Sequence, residues 1–397
     1  MDGRERFARC MACQPVDRTH NWELGIAAET IARWQAEGMP RDIHVGTVLW
    51  TGNEYFGIDR IAVLPLKLSA LPEFDVPGSD QADRADAPMQ ESEPHLSASK
   101  PRHRQIHMYL AKSSSILPGS SGEEDDDPGF ASPADLRGRF ETLIRDRFRP
   151  DTRGRYPMWW PEVVRCLGEQ ESPLCVPGQS GIGLLSTLCK WVGRSGVDRL
   201  FRDEVRLAEE MLDFLADFVI GVSMRAMTDL PVDWFNWRED SPDLAAAQLP
   251  VPLFRKFLLP RYRRVNDFLR AHHVETIGMG ILGNASQLVP TLLEAGFTCV
   301  WPVDCASGMN PLALRKEFGR TLRMMGGIDH RALTQGRETI RAELESKVPA
   351  LVADGGYLPG LDTPVPPDVA YENWLYYLDV KRRLLSACDP DQTRSAK

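Results

Sequence analysis

The sequence has no apolar run of the roughly 18 to 20 residues that a membrane span needs. Its charged opening, MDGRERFARCMACQPVDR, has no signal-peptide core. Both absences point to a cytoplasmic protein whose cysteines stay reduced. Basic excess is missing too. The formal net charge is -9, so long-range electrostatics oppose nucleic acid and anionic membrane as partners. The CxxC of Cys10 and Cys13 is not followed by a second ligand pair at finger spacing, so thiols that pack or face solvent are the plainer reading than zinc. No GxGxxG-type phosphate loop follows the first strand, which counts against an open dinucleotide-binding sheet.

What is present is enough for a large core. The chain has 397 residues, 43% of them hydrophobic and 26% charged, and a chain of this length needs no disulfides. Residues 1–14 read as a short amphipathic helix. Asn21 to Gly25 reads as a strand end entering a turn, and ETIARWQAE as a helix stopped by Gly38 and Pro40. Residues 76–134 are rich in Ser, Pro, Gly and charge without a lasting period, and read as an irregular, partly mobile insertion. The acidic run Glu123–Asp127 within them lacks the spacing of a calcium loop.

From residue 135 onward strand and helix alternate. VDWFNW, ETIGMGIL, CVWPVD, TLRMMGGID and GGYLPGLD are strands separated by helical segments, the pattern of a parallel sheet. The expected fold is α/β, a (β/α)8 barrel with an irregular insertion. Residues 1–75 supply the N-terminal helices and first barrel elements, 135–390 the rest, and 391–397 a disordered tail. Polar residues recur just after the strands: Glu239 and Asp240, Asn284, Asp304, Asp329 and Asp362. In a barrel these ends share the face where active sites lie.

Each candidate has a plainer alternative. Glu239 follows Trp234, Phe235 and Trp237, and a carboxylate against aromatic rings is suited to a raised pKa and acid work; otherwise it is a salt bridge to Arg238 or Arg255. Asp304 beside Cys305 could be base and nucleophile, or a turn cap beside a small buried thiol. Asp329 could orient His330 for proton transfer, or His330 could cap the helix that follows. Trp22, at a strand end, could stack on a ligand or fill the core.

Several segments resemble the uroporphyrinogen decarboxylase superfamily, which includes the decarboxylase of haem synthesis and corrinoid-linked methyltransferases. They are NWELGIAAETIARWQAEGMP, RGRYPMWWPEV, LFRKFLLPRYRRV, LLEAGFTCVWPVDCASGMNPLALRKEFG, LRMMGGIDHRAL and GGYLPGLDTPVPPDVAYENW. The resemblance implies a barrel and, since family members often pair, a homodimer. It also implies a role for Asp59 in YFGIDRIAVLP, which is similar to the segment carrying the decarboxylase's catalytic aspartate, with one extra residue in the register.

The departures are as specific as the matches. The decarboxylase's arginine-rich W-x-x-R-Q-A-G-R segment has no counterpart after Trp22, and Thr363 stands where its G-H-G histidine would be. Methyltransferases of the superfamily bind zinc through an H-x-C pair and a later cysteine. Here the pair's positions are Gly280 and Leu282, and LPGLDTPVPP has no cysteine. The leading expectation is therefore metal-free decarboxylation, or related proton chemistry, on a small-molecule polycarboxylate of tetrapyrrole type. Asp59, Glu239, Asp304 and Asp329 would be catalytic, and Trp22, Asn284, His330 and Asp362 would bind substrate. No metal or cofactor is expected. Methyl transfer to or from a corrinoid or thiol with altered ligands, and a barrel that only binds a ligand, are the alternatives.

Overall fold

Strand pairing in the computed structural model follows the order of the chain. It describes residues 1–42, 47–49, 51–68, 136–138, 140–145, 154–176, 182–239 and 249–386. The expected insertion at 76–134, the tail, Asp240 and the run 123–127 lie outside the described residues. Helices α1 (Gly3–Met11) and α2 (Ala28–Ala36) lead to strand β1 (Ala62–Val63). Next come α3 (Trp160–Gly168), β2 (Leu174–Val176), α4 (Leu184–Arg202), α5 (Val205–Asp229) and β3 (Trp234–Glu239). The remainder alternates: α6 (Leu259–Ala271), β4 (Thr276–Ile281), α7 (Val289–Glu294), β5 (Cys299–Val303) and α8 (Pro311–Phe318). It ends with β6 (Arg323–Ile328), α9 (Arg337–Asp354), β7 (Tyr357–Leu361) and α10 (Tyr371–Ser386).

The strands form one seven-stranded sheet in the order β1 to β7, and every pairing is parallel. Both faces are covered, which is why the strands read as nearly continuous apolar runs. Alternate residues divide between two cores. Phe235, Trp237, Ile277, Met279 and Met324 join the large cluster under the helices. Val63, Cys175, Trp234, Cys299, Trp301 and Met325 join a smaller inner cluster that also holds Trp22 and Leu24.

Residues 20–26 touch both edges of this sheet. Asp59 N, leading into β1, donates to Asn21 O at 3.0 Å, while Ile26 forms a parallel bridge to Val365, just past β7. Alternation along this segment points Trp22 inward and Glu23 outward. Glu23 accepts from Tyr377 OH at 2.5 Å, Lys381 Nζ at 2.6 Å and Leu361 N at 3.1 Å, pinning α10 to the segment. Both members of the Glu23–Lys381 ion pair are buried.

Helix α1 lies across the N-terminal ends of the strands. Arg4 N and Nε reach Glu171 O and Asp233, ahead of β2 and β3. Met11 O accepts from Arg323 Nε at 2.7 Å and Cys10 O from Gly356 N at 2.8 Å, at the starts of β6 and β7. Phe7 then packs on Trp234 from below, with ring centroids 6.3 Å apart. Cys10 is buried in this plug, and burial pushes its thiol pKa up to about 11. Among the described residues, no helix is long and apolar enough to cross a membrane.

Candidate functional site

A cavity of about 150 Å³ lies at the C-terminal ends of the strands. Leu24, Ile281, Leu282, Trp301, Pro302 and Pro364 make most of its wall. Against this apolar surface stand two polar side chains, Arg238 near the end of β3 and Thr363 just past β7. Arg238 is only 8% exposed. Its direction follows from strand alternation: Trp234 lies in the inner cluster, Asn236 accepts from Trp301 Nε1, and Arg238 continues the same face. Gly280, its register partner on β4, borders the cavity without a side chain.

Glu239 also borders the cavity, but its carboxylate is turned outward. Leu185 N and Tyr262 OH donate to Oε1, and Ser186 N and Oγ donate to Oε2. These donors belong to the first turn of α4 and to α6. Gly183, at the α4 N-cap, has no side chain to cap the helix, and Glu239 does so from a neighbouring strand. A Cβ on Gly183 would stand 2.4 Å from Glu239 Oε2, so the approach requires glycine. Burial raises the Glu239 pKa, against the hydrogen bonds from Ser186, Tyr262 and Leu185 that pull it down. The salt bridge to Arg255 expected as the plainer alternative is not formed; Arg255 pairs with Glu294.

The other strand-end carboxylates fasten loops. Asp304 accepts from Gly283 N at 3.0 Å, Ser307 N at 2.9 Å and Ser307 Oγ at 2.7 Å, tying the ends of β4 and β5 together. Asp362 is buried and accepts from Ala306 N at 3.0 Å and from His330 N at 3.1 Å. Asp329 caps the short turn after β6 through Arg331 N and holds the Arg331 guanidinium, which keeps the Asp329 pKa below its usual value. Asn284 is exposed and accepts from Ser286 N in its own turn. Cys305 donates to Gly327 O, and burial pushes its thiol up to about 12, so it is no thiolate nucleophile at neutral pH.

His330 is oriented by Asp362 rather than by its neighbour Asp329. Its Nδ1 lies 2.8 Å from Asp362 Oδ1, and this hydrogen bond raises the imidazole pKa against partial burial. With a proton on Nδ1, Nε2 is left as the atom for proton exchange. Asp362 immediately precedes the cavity residue Thr363 in the chain, while neither Asp362 nor His330 is among the described residues that line the cavity.

Asp59 and Trp22 sit elsewhere. Asp59 precedes β1 and therefore lies at the opposite, N-terminal end. Arg18 holds it with bonds of 2.5 and 2.7 Å, and Asn21 N adds a third at 2.7 Å. Burial alone would raise its pKa, but Arg18, His20 and Asn21 lower it. Trp22 is fully buried inside the curl of the sheet, against Gly360 and edge-on to Trp301. Of the eight site candidates read from sequence, Glu239 borders the cavity, Asp362 directly precedes one of its lining residues in the chain, and Asp59 lies at the other end of the strands. Arg238 and Thr363, which line the cavity, were not among the eight. The signal for Thr363 was its position against the family's histidine; the direction of Arg238 had none, because every residue of β3 is buried.

The ligating atoms of Asp329, His330 and Asp362 lie within 4.8 Å of one another, a spacing that could hold a cation. Arg331 already neutralises Asp329, and His330 Nδ1 already meets Asp362. The zinc of the superfamily's methyltransferases does not fit its own positions. Gly280 and Leu282 border the cavity without a donor atom, and a Cβ on Gly280 would meet the Trp301 ring at 2.8 Å.

The family model for uroporphyrinogen decarboxylase (URO-D) matches residues 163–384, more than half of the chain. No curated protein matches it. Among solved structures, a methyltransferase from Methanosarcina mazei is similar in fold, with a TM-score of 0.55 at 15% sequence identity over 96% of this chain and 99% of that one. On the family match, the chain belongs to the uroporphyrinogen decarboxylase family.

Proposed function

We propose that the chain is a metal-independent enzyme of decarboxylase type that acts on a small carboxylic acid at the C-terminal mouth of a (β/α)8 barrel. Residues 20–26, which touch both edges of the sheet, serve as the closing stave. The observation that carries the reading is Arg238, a buried arginine that lines a mostly apolar cavity. Guanidinium forks match carboxylates bidentately, and a low-polarity wall strengthens the contact. Thr363 offers a second hydrogen bond. Loss of CO2 leaves an electron pair on carbon, and the His330 imidazolium, held by Asp362, supplies the proton that closes the reaction. One recognised carboxylate suits this cavity, because Arg238 is the cation among the described residues lining it.

Methyl transfer is the second reading. The named methyltransferase that spans nearly the whole chain favours it, and the absence of donor atoms at positions 280 and 282 weighs against its zinc-dependent form. The test is CO2 release from a panel of small carboxylic acids, with binding followed by calorimetry. Arg238→Met should abolish binding, and His330→Gln should keep binding and lose turnover. Carboxylate binding untouched by Arg238→Met would overturn the reading.

A further inference from the structure

The Trp301 indole forms part of the cavity wall. Along β3 and β4 the register pairs Arg238 with Gly280 and Asn236 with Gly278, and Gly280 in turn pairs with Trp301 of β5. Arg238 and Gly280 form the cavity level. Asn236 and Gly278 lie two residues lower, about 6.6 Å at a strand rise of ~3.3 Å per residue. The Trp301 ring crosses from one level to the other. A Cβ on Gly280 would meet its Cζ2 at 2.8 Å, and one on Gly278 its Cδ1 at 3.4 Å. Both glycines are therefore the space in which the ring lies. Trp301 Nε1 donates to Asn236 Oδ1, which fixes the ring's tilt and the orientation of the amide. Trp22 and Trp234 brace it edge-on, at centroid distances of 6.5 and 6.0 Å.

Around this ring two buried donors have no acceptor among the described residues, one on the lower level and one on the indole that stands edge-on to it. They are Asn236 Nδ2 and Trp22 Nε1, on side chains 1% and 0% exposed. Buried polar groups are almost always paired, so a level lined by unmet donors is chemically ready for an acceptor.

We infer that Trp301 sets the substrate's length. Its indole is the floor that limits the site to compact acids, one carboxylate on an apolar body of about benzene size, for which a cavity near 150 Å³ has room. Its removal joins the cavity to the lower level, where a carbonyl at the far end of a longer acid meets Asn236 Nδ2 and Trp22 Nε1. The inference rests on the carboxylate reading proposed above.

The experiment compares benzoate with 4-acetylbenzoate by calorimetry on the parent, Trp301→Phe, Trp301→Ala, Gly280→Ala and Arg238→Met. Circular dichroism melts restrict the comparison to folded variants, and Trp301→Phe is included because it leaves the smaller void. The parent should prefer benzoate by about tenfold or more, the size of a steric rejection in an apolar pocket. Trp301→Phe, and Trp301→Ala if it folds, should shift the ratio toward 4-acetylbenzoate by a similar factor. Gly280→Ala, which crowds the ring, should weaken both. An unchanged ratio in the Trp301 variants, with benzoate binding still dependent on Arg238, would overturn the floor and leave the carboxylate reading standing. Benzoate binding indifferent to Arg238→Met would overturn both.

Discussion

Glu239→Gln separates an anchor from a catalyst. In the parent each carboxylate oxygen accepts one backbone N–H and one hydroxyl: Leu185 N with Tyr262 OH, and Ser186 N with Ser186 Oγ. An amide retains one acceptor oxygen and puts an NH2 against the other pair. Two charge-assisted bonds are lost whichever way it sits. At ~1.5–3 kcal/mol each the gross loss is about 3–6 kcal/mol. The facing hydroxyl can turn to accept from the amide, and a neutral group is easier to bury than a carboxylate, so the net should be about 2–4 kcal/mol. In a chain of this size, with an unfolding entropy of about 2.1 cal/mol/K per residue, that lowers Tm by roughly 2–5 °C. The sign with pH also follows. The folded pKa of Glu239 is raised, so its contribution to stability is full below the unfolded value of about 4.3 and is lost as pH rises through the folded one. Glutamine lacks this dependence, so the deficit of the variant should widen as pH falls from 7 toward 5. Thermal melts at both pH values, alongside benzoate calorimetry, decide the matter. A variant that melts with the parent yet loses benzoate would refute the anchor and put the carboxylate on the ligand.

Three other outcomes follow from the same structure. Lys381→Met leaves Glu23 buried and unpaired and should cost about 3–5 kcal/mol, while Glu23→Leu with Lys381→Met should recover much of it; a double variant no better than the single in denaturant melts would contradict the pairing. Asp362→Asn should bring the raised His330 pKa down toward its ordinary value in an NMR titration. Since that pKa is raised in the folded parent, the pair's contribution to stability is present below about 6.5 and fades as pH rises through the folded value, and the variant should lack this trend. Asp59→Asn should lower stability by about 1 kcal/mol, since Arg18 is a third exposed, and leave benzoate affinity unchanged. Its folded pKa is lowered, so the parent's contribution is present above about 3.9 and lost as pH falls through the folded value; a loss of binding in this variant would move the site.

The sequence was most legible where period and length agreed. VRLAEEMLDFLADFVIGVSMRAMTD is α5 residue for residue, and β3 to β7 fall within a residue or two of the segments read as strands. The barrel-like alternation and the polar strand ends were readable because they are local. Side-chain direction was not. A strand covered on both faces carries no hydrophobic alternation, so WFNWRE does not disclose that Arg238 faces inward and Glu239 outward. That follows only once Trp301 is seen to bond Asn236 and α4 to bond Glu239. The acidic residues that converge on one face were read as a charged pocket. Their oxygens are instead committed to backbone N–H groups and to side chains such as Ser307, Arg331, His330 and Tyr262, partners set largely by tertiary contacts that no spacing encodes. Asp59 illustrates the remaining gap: β1 begins only at Ala62, so Asp59 lies ahead of the strand and is held there by Arg18, a partner 41 residues away that no local pattern names.

The central claim is that a carboxylate binds Arg238 with its apolar body on Trp301. A crystal structure with 4-bromobenzoate tests it most directly, because anomalous scattering locates the bromine independently of the refined ligand. The account predicts one strong bromine peak in the strand-end cavity, over the Trp301 ring, with the carboxylate within hydrogen-bonding distance of the Arg238 guanidinium. A peak elsewhere on the chain, or a ligand in the cavity with its carboxylate turned away from Arg238, would contradict it.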